Sequence, residues 1–442
     1  MKIHIIAIGG SAMHNIALAL HHKGYEISGS DDNIFSPSKE RLSKYNLLPK
    51  KIGWYPSKIT SKLDAIILGM HAKEDNPELI KAKKLNIRIY SYPEYIYEQS
   101  KNKKRIVIGG SHGKTSITAM ILHVLKKLKI NCDYMVGAQL KGFNTMVKLT
   151  TKNPIIILEG DEYLSSAIDN RPKFHLYKPH IAVISGIAWD HINVFPTFEI
   201  YKNQFRIFKN MVQDILIYNS QDKELNEIIN EEKTECKIIP YSVPKHNIKE
   251  GITYINKVKL LIFGNHNLQN INAAKLVCNA IGVSDKDFYS KIATFKGASN
   301  RLQLIKQTKD FSIFKDFAHS PSKLKATCSA MKEQFKKRKL IACLELHTFS
   351  SLNIKFLYQY NKCMNTPDKA IVYFNPKNIS RKNIKPIKKE DVYNGFNRKD
   401  LLIFSKKEEL VSYIKKLCWK NKNLLIMSSG NFDNIEFNKL VK

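Results

Sequence analysis

A glycine-rich loop with the residue types of a phosphate cradle carries the clearest chemistry in this 442-residue chain. It reads Gly-Gly-Ser-His-Gly-Lys-Thr over 109–115, between an apolar run, 105–108, and an amphipathic stretch, 116–125. Backbone N–H groups at such a helix start bind polyphosphate, while Lys114 reaches the outer phosphates and Thr115 ligates Mg²⁺. Ile108 replaces the first glycine of the usual pattern, so the loop is one residue shorter. The strand–loop–helix setting favours nucleotide binding over a surface turn. The loop residues expected to contact the nucleotide are Gly110, Ser111, His112, Gly113, Lys114, Thr115 and Ser116.

Acidic side chains follow two further apolar runs that we interpret as strands. Glu159-Gly-Asp-Glu162 comes directly after 154–158, and Asp190-His191 comes after 181–185. Carboxylates at the end of a strand, in the same domain as a phosphate loop, are well placed to ligate Mg²⁺. The alternatives are a solvated turn for the carboxylates and a capping or core role for His191.

Two polar motifs are candidates for binding the rest of the nucleotide. Asn267 and Asn270 stand three residues apart at the start of a predicted helix, 271–280, so their amides share one face. Such amides can pair with an adenine edge, and N-capping is the alternative. The second motif is Asp316-Phe-Ala-His319, which follows a predicted strand and comes shortly after Arg301.

The N-terminal turn is a candidate second nucleotide site. Gly9-Gly10-Ser11 follows a predicted strand and keeps only the middle glycine of a dinucleotide-binding fingerprint. Asp31 lies 22 residues beyond Gly9, where an acidic residue would accept hydrogen bonds from a nucleoside. The alternative is an ordinary strand–helix turn with a surface aspartate.

The elements that must position these residues alternate between strand and helix. This alternation predicts parallel sheets with helices on their faces. A polar run, 99–105, marks a linker, and a second boundary is expected near 293–298. The predicted domains are therefore residues 1–100, 103–295 and 296–442.

The composition excludes several classes of protein. The net charge of +33 comes mostly from lysine spread along the chain, whereas base recognition relies on arginine, so we expect no nucleic-acid partner. Seven scattered cysteines without a C-x-x-C pair favour a reducing cytoplasm over disulfides or zinc. The absence of a long apolar run predicts no membrane association and no signal peptide. The oligomeric state stays open.

The motifs occur in the order and register of a known family. Over nearly its full length the chain resembles the Mur ligases, the ATP-dependent amide-forming enzymes of peptidoglycan assembly. Its phosphate loop has Ser111 where the family has threonine. The other motifs of the family correspond to 159–162, 190–191, 264–270, Arg301 and 316–321.

The resemblance implies an α/β fold of three domains: a Rossmann-like domain for the UDP substrate, a central P-loop ATPase domain and a Rossmann-like C-terminal domain. It implies that ATP phosphorylates a carboxylate of UDP-N-acetylmuramate, and that an amine then displaces phosphate from the acyl phosphate. Lys114, Glu159 and His191 would be catalytic, and Thr115, Glu159 and His191 would hold Mg²⁺. The resemblance also implies further ATP contacts by His266, Asn267, Asn270, Arg301, Asp316 and His319, and UDP-substrate contacts by Gly9, Gly10, Ser11 and Asp31.

One departure from the family pattern bears on the acceptor. Members that extend an existing peptide stem often carry a modified lysine about fourteen residues after the Asp-His histidine. This chain has Phe205 there. It therefore resembles members that load the bare lactyl carboxylate.

Two donors are compatible with such an acceptor: L-alanine, or the tripeptide L-alanyl-γ-D-glutamyl-meso-diaminopimelate, which is re-attached in recycling. The segments 169–179 and 427–432, and the lack of an arginine after His347, favour the tripeptide. The segments 8–11 and 73–77 are more similar to the alanine enzymes. A non-catalytic UDP-sugar or ATP binder is a remote alternative, because competent residues fill the metal and phosphate positions.

Overall fold

The computed structural model describes residues 1–140, 142–189, 194–231, 233–297, 301–376 and 386–441. These residues form two compact units. The first comprises Met1–Ser242 and Gln269–Ile292, and the second comprises Val243–Leu268 and Ala293–Lys442. Each unit is built on α/β sheets whose inner strands are parallel, as the alternating sequence pattern predicts.

The N-terminal sheet of the first unit has four parallel strands. Their apolar runs are buried because helices cover the sheet, as in other parallel sheets. In sheet order the strands are Glu26–Ser30, Lys2–Ile6, Ala65–Leu68 and Ile89–Ser91. The α-helices of this part are Ser11–His22, Ser38–Lys44, Pro77–Lys84 and Tyr92–Ser100, with a 3₁₀ turn at Pro56–Lys58.

The central sheet, also in the first unit, has seven strands and is parallel except at one edge pair. In sheet order its strands are Lys237–Tyr241, Ile215–Asn219, Ile181–Ile184, Lys104–Gly109, Ile155–Glu159, Asp133–Met135 and Val147–Lys148. A small antiparallel pair is formed by Leu164–Ser166 and Asp169–Pro172. The helices are Lys114–Lys127, Lys173–Leu176, Phe198–Asn210, Lys223–Glu231 and Asp285–Ile292. The helix Asn265–Ala280 belongs to this unit from Gln269 onward, and its first four residues belong to the second unit.

The second unit contains a six-stranded sheet with one antiparallel edge strand. In sheet order its strands are Gln303–Gln307, Phe311–Asp316, Lys422–Met427, Lys339–Glu345, Lys369–Tyr373 and Leu402–Phe404. The α-helices are Pro321–Gln334, Ile354–Leu357, Lys389–Phe396, Lys407–Lys416 and Phe437–Leu440. The 3₁₀ turns are Ser350–Leu352, Tyr358–Tyr360 and Phe432–Asn434. A separate antiparallel sheet is formed by Asn247–Lys249, Ile252–Ile255 and Val258–Lys259.

The predicted α/β fold class is confirmed, and the domain boundaries 1–100, 103–295 and 296–442 stay predictions. Among the described residues, no helix combines the length and the apolar character needed to cross a membrane. All seven cysteines are free thiols, and only Cys418 is exposed. Burial raises the pKa of Cys132 and of Cys278 to about 12.

Candidate active site

The phosphate loop connects a strand that is buried from Arg105 onward to a helix, as the sequence predicts. Gly110 and Gly113 have φ angles of 114° and 85°, in the left-handed region that favours glycine. A Cβ on Gly113 would lie 2.5 Å from Oδ1 of Asn270, and one on Gly110 would collide with Ser185 Oγ. Glycine is therefore required at both positions for two reasons: the backbone has a left-handed conformation, and a Cβ would collide with a neighbouring side chain.

Lys114 is the first residue of the helix after the loop and is held by two oxygen atoms. Its Nζ donates to Gly110 O at 2.7 Å and to Glu162 Oε2 at 2.6 Å. Burial opposes the charged form, but the carboxylates of Glu162 and Asp161 outweigh it and raise the pKa of Lys114. The lysine is thus a fixed cation beside the loop.

Thr115 and Glu159 form an oxygen-rich pair at the end of the neighbouring strand. The Thr115 hydroxyl donates to Glu159 Oε1 at 2.7 Å, and the Gly137 N–H donates to Oε2 at 3.0 Å. Burial raises the pKa of Glu159, although these hydrogen bonds act in the opposite direction. A half-buried carboxylate beside a hydroxyl suits Mg²⁺, which prefers oxygen and is usually held by one or two carboxylates, substrate phosphates and water.

The described residues contain no group of three or more His, Cys, Asp or Glu side chains that could hold a metal ion. The donor set at Thr115 and Glu159 is nevertheless sufficient for Mg²⁺, because the ion relies on phosphate oxygens for its other ligands. Asp190 and His191, the second predicted metal motif, lie outside the described residues. The predicted role of His191 stays a prediction.

Tyr201 is a contact that the sequence reasoning missed. Its hydroxyl donates to Glu162 Oε1 at 3.2 Å and lies 2.8 Å from Ser111 Oγ, which accepts the Ala188 N–H at 2.8 Å. Tyr201 therefore joins the loop to the acidic motif. It lies on the helix Phe198–Asn210, ninety residues from Ser111, and no local signal in the sequence indicates this role.

Other loop residues are fixed by local bonds. His112 Nδ1 lies 2.7 Å from Ser111 O, and Ser116 is buried in the first turn of the helix. These positions agree with the predicted loop, while direct contact with a nucleotide stays a prediction.

The helix that carries Asn267 and Asn270 begins at Asn265, six residues before the predicted start. Asn270 lies against Gly113 of the phosphate loop, within the first unit. The Asn267 amide donates to Phe263 O at 2.9 Å, one helical turn earlier. This bond occupies one donor of Asn267, so only the rest of its amide is available to an adenine edge.

The remaining predicted nucleotide contacts lie in the second unit. Asp316 accepts the N–H of Leu302 at 2.6 Å and that of Ala318 at 2.7 Å, and burial raises its pKa. The Arg301 guanidinium lies 5.0 Å from the centre of the Phe317 ring. The centre of the Phe317 ring lies 5.2 Å from that of His319, so Phe317 contacts both Arg301 and His319 at the end of the strand that carries Asp316.

His266 belongs to the same unit and is fully neutral at physiological pH. Burial, and next the charge of Arg301, lower its pKa to about 4.

The N-terminal turn brings all four predicted UDP-substrate residues together. The Gly9 N–H donates to Asp31 Oδ2 at 2.7 Å, and Gly10 precedes the helix that Ser11 begins. Asp31 is buried, and burial raises its pKa despite the Gly9 hydrogen bond. Its carboxylate therefore already anchors the turn, and a nucleoside would use its remaining acceptor capacity.

Phe205 fills the position at which some Mur ligases have a modified lysine. It is fully buried, with its ring centre 5.3 Å from that of Tyr201 and 5.5 Å from that of Phe174. Lys202, one turn earlier on the same helix, is bound to Glu224 at 2.7 Å and Glu227 at 2.9 Å. Phe205 has no amine and the Lys202 amine is paired with two glutamates, so neither side chain can replace the modified lysine.

A phosphate loop, a buried cation and an adjoining oxygen pair on parallel sheets define an ATP-dependent group-transfer enzyme. Comparisons with known proteins identify its family. Residues 2–104 match "Mur ligase family, catalytic domain", and residues 108–278 match "Mur ligase middle domain". The chain belongs to the Mur ligase family, and it is an ATP-dependent, ADP-forming amide ligase that uses Mg²⁺.

Curated relatives that match most of this chain are named L-alanine ligases. A UDP-N-acetylmuramate–L-alanine ligase of Sulfurihydrogenibium sp. is 33% identical over 384 residues, which cover 84% of this chain and 82% of the relative. One of Clostridium tetani is 28% identical over 452 residues, with 97% and 96% coverage.

Two solved structures share the fold. A murein peptide ligase of Psychrobacter arcticus has a TM-score of 0.64 and 21% identity, with 100% of this chain and 98% of that chain covered. A UDP-N-acetylmuramate–alanine ligase of Thermotoga maritima has a TM-score of 0.68 and 18% identity, with the same coverage.

Proposed function

We propose that this ligase joins the tripeptide L-alanyl-γ-D-glutamyl-meso-diaminopimelate to the lactyl carboxylate of UDP-N-acetylmuramate, in peptidoglycan recycling or synthesis in the cytoplasm. The observation that supports the ligase chemistry most directly is the cluster of Lys114, Thr115, Glu159 and Glu162 beside the phosphate loop. The buried Phe205 supports an acceptor without a peptide stem.

The residues of the chain divide the work of the reaction. Lys114 orients the terminal phosphate and stabilises the charge that develops on it, which is how preorganised donors lower barriers. Thr115 and Glu159 would hold Mg²⁺, which neutralises phosphoryl oxygens when bound. Tyr201 keeps Glu162 and Ser111 in register, so that the lysine stays aimed at the loop.

The donor assignment rests on three sequence features, two of which meet in the second unit. Glu345 Oε2 accepts the N–H of Phe432 at 2.9 Å and also binds Ser428 Oγ, so the segment 427–432 is tied to the strand that leads to His347. A Cβ on Gly430 would lie 2.7 Å from His347. Thr348 follows this histidine and its hydroxyl bonds Ser351 Oγ at 2.9 Å. The alanine enzymes have an arginine after this histidine, whereas this chain has the small hydroxyl side chain of Thr348. This difference supports a donor that is not bound by a cation at this position.

L-Alanine is the second candidate donor. It is favoured by the names of the curated relatives, which are L-alanine ligases at 28–33% identity. The segments 8–11 and 73–77 support the same alternative.

A donor-swap assay tests the proposal. The full chain would receive ATP, Mg²⁺ and UDP-N-acetylmuramate with either the tripeptide or L-alanine, and phosphate release and product mass would be followed. We expect a much higher kcat/KM for the tripeptide, because its additional carboxylates provide remote contacts that orient the amine. Efficient alanine addition without a tripeptide product would transfer the assignment to the second candidate. The Lys114→Met protein is the control for phosphate release that does not depend on the site.

A further inference from the structure

A buried lysine in the segment 169–179 lies beside the acidic motif and has no role in the mechanism above. Lys173 begins the short helix Lys173–Leu176. Its N–H donates to Tyr163 O at 3.0 Å, and the next N–H donates to Asp161 O at 3.1 Å. Two backbone hydrogen bonds therefore fix this lysine to the loop that follows the Glu159 strand.

The ammonium of Lys173 has an unusual environment. Its Nζ lies 2.5 Å from Asp161 Oδ2, 5.5 Å from the centre of the Tyr163 ring and 5.8 Å from that of Tyr92. The side chain of Lys173 is only 10% exposed, whereas that of Asp161 is 38% exposed. Aromatic faces attract an ammonium without neutralising it, so the charge is held in place and its ion pair opens toward solvent on the aspartate side.

Asp161 lies in the field of two cations. Its carboxylate is paired with the Lys173 ammonium, and it also interacts electrostatically with Lys114. Lys114 is itself bound to Glu162. The acidic motif thus pairs with two lysines: Lys114, which belongs to the phosphate loop, binds Glu162, and Lys173 binds Asp161.

The ligation that we propose brings two anions together, because a carboxylate must approach the terminal phosphate of ATP. A fixed cation in contact with the carboxylate reduces this repulsion and orients the nucleophile. We propose that Lys173 binds the lactyl carboxylate of the acceptor, which replaces Asp161 as the partner of its ammonium. This inference rests on the proposed function and adds a binding residue to it.

The test compares Lys173→Met with Lys173→Arg in the full chain. Loss of one charge-assisted hydrogen bond is expected to raise the Kd and KM for UDP-N-acetylmuramate about tenfold. The affinity for a non-hydrolysable ATP analogue should stay unchanged, and Lys173→Arg should recover part of the acceptor affinity. Lys202→Met is the matched control, because Lys202 is similarly buried, with 8% exposure, and also paired with carboxylates.

The outcomes separate the binding role from a structural one. If Lys173→Met weakens the acceptor and the ATP analogue equally, Lys173 only supports the Asp161 loop and the inference is overturned. Unchanged acceptor affinity overturns it as well. If the wild-type chain binds the ATP analogue but not UDP-N-acetylmuramate, the proposed function fails and this inference fails with it. If the wild type ligates normally and only the variant result is negative, the proposed function stands.

Discussion

Replacing Lys114 by methionine should reduce both activity and stability, and the two effects have different causes. In the ion pair, the Lys114 side chain is 15% exposed and that of Glu162 is 2% exposed, with 2.6 Å between Nζ and Oε2. The substitution leaves a buried carboxylate with Tyr201 as a neutral partner. Removing one member of a buried pair typically costs about 3–5 kcal/mol.

A second substitution identifies this cause. Glu162→Gln keeps the size of the side chain and removes its charge, so the double variant Lys114→Met/Glu162→Gln buries no unpaired carboxylate. The stability deficit of Lys114→Met relative to wild type should therefore shrink by about 2–3 kcal/mol when Glu162→Gln is added.

Urea unfolding of the full-length proteins measures this deficit. Adding Glu162→Gln to Lys114→Met should restore stability but not ligation, because the charge is gone and the phosphate contact is still missing. Lys202→Met is the control, since its glutamate partners are 31% and 45% exposed and stay in contact with water. A deficit that is absent in Lys114→Met, or that Glu162→Gln does not reduce, would refute the reasoning about Glu162. Near-normal turnover in either Lys114 variant would refute the assignment of the phosphate loop.

Three further predictions concern the other contacts. Glu159→Ala should slow ligation by about two orders of magnitude in a folded protein through weakened Mg²⁺ binding, a loss of about 3 kcal/mol in transition-state stabilisation, and steady-state rates across a Mg²⁺ titration check this. Gly113→Ala should weaken the binding of an ATP analogue, because its Cβ would collide with Asn270. Gly24→Ala is the control: it has φ of 87° but open space around its Cβ, so it should cost only about 1 kcal/mol of stability. If calorimetric titration and unfolding show the same losses of affinity and stability for both variants, the close approach of Asn270 to the loop is contradicted. Asp31→Asn should raise the Kd for UDP-N-acetylmuramate and leave that for ATP unchanged, and the reverse result in paired titrations would mean that the two nucleotide sites are exchanged.

The sequence predicted the sheets well because buried parallel strands are continuous apolar runs. The predicted runs 105–108, 154–158 and 181–185 differ from the strands Lys104–Gly109, Ile155–Glu159 and Ile181–Ile184 by one residue at most at either end. The helix Asn265–Ala280 was predicted to begin at Ile271, because its first six residues include five polar side chains and carry no apolar periodicity. Its early start is supported by tertiary packing, including Asn270 against Gly113, which no local pattern reveals.

The candidate site shows the same difference between features set by local sequence and features set by tertiary packing. The proximity of residues in local motifs, such as Thr115 and Glu159, could be predicted from their spacing, and their roles stay predictions. Tyr201 and Lys173 could not, because their contacts join segments that are distant in the chain or use an aromatic ring as a partner. Both the hydrogen bonds of Tyr201 and the ring contact of Lys173 depend on how the helices pack on the sheet.

The exposed thiol of Cys418 gives the protein one site for covalent labelling. Six cysteines are buried, and Cys418 alone is exposed. The buried thiols are slow to react because the nucleophile is the thiolate, and burial raises the pKa of such groups, as it does for Cys132 and Cys278. A maleimide dye should thus label the native chain once, near its C-terminal end, without any cysteine having to be removed by mutagenesis. The number of dyes bound per chain would then rise from one toward seven as the fold opens, which makes labelling stoichiometry a direct count of unfolding in the two units.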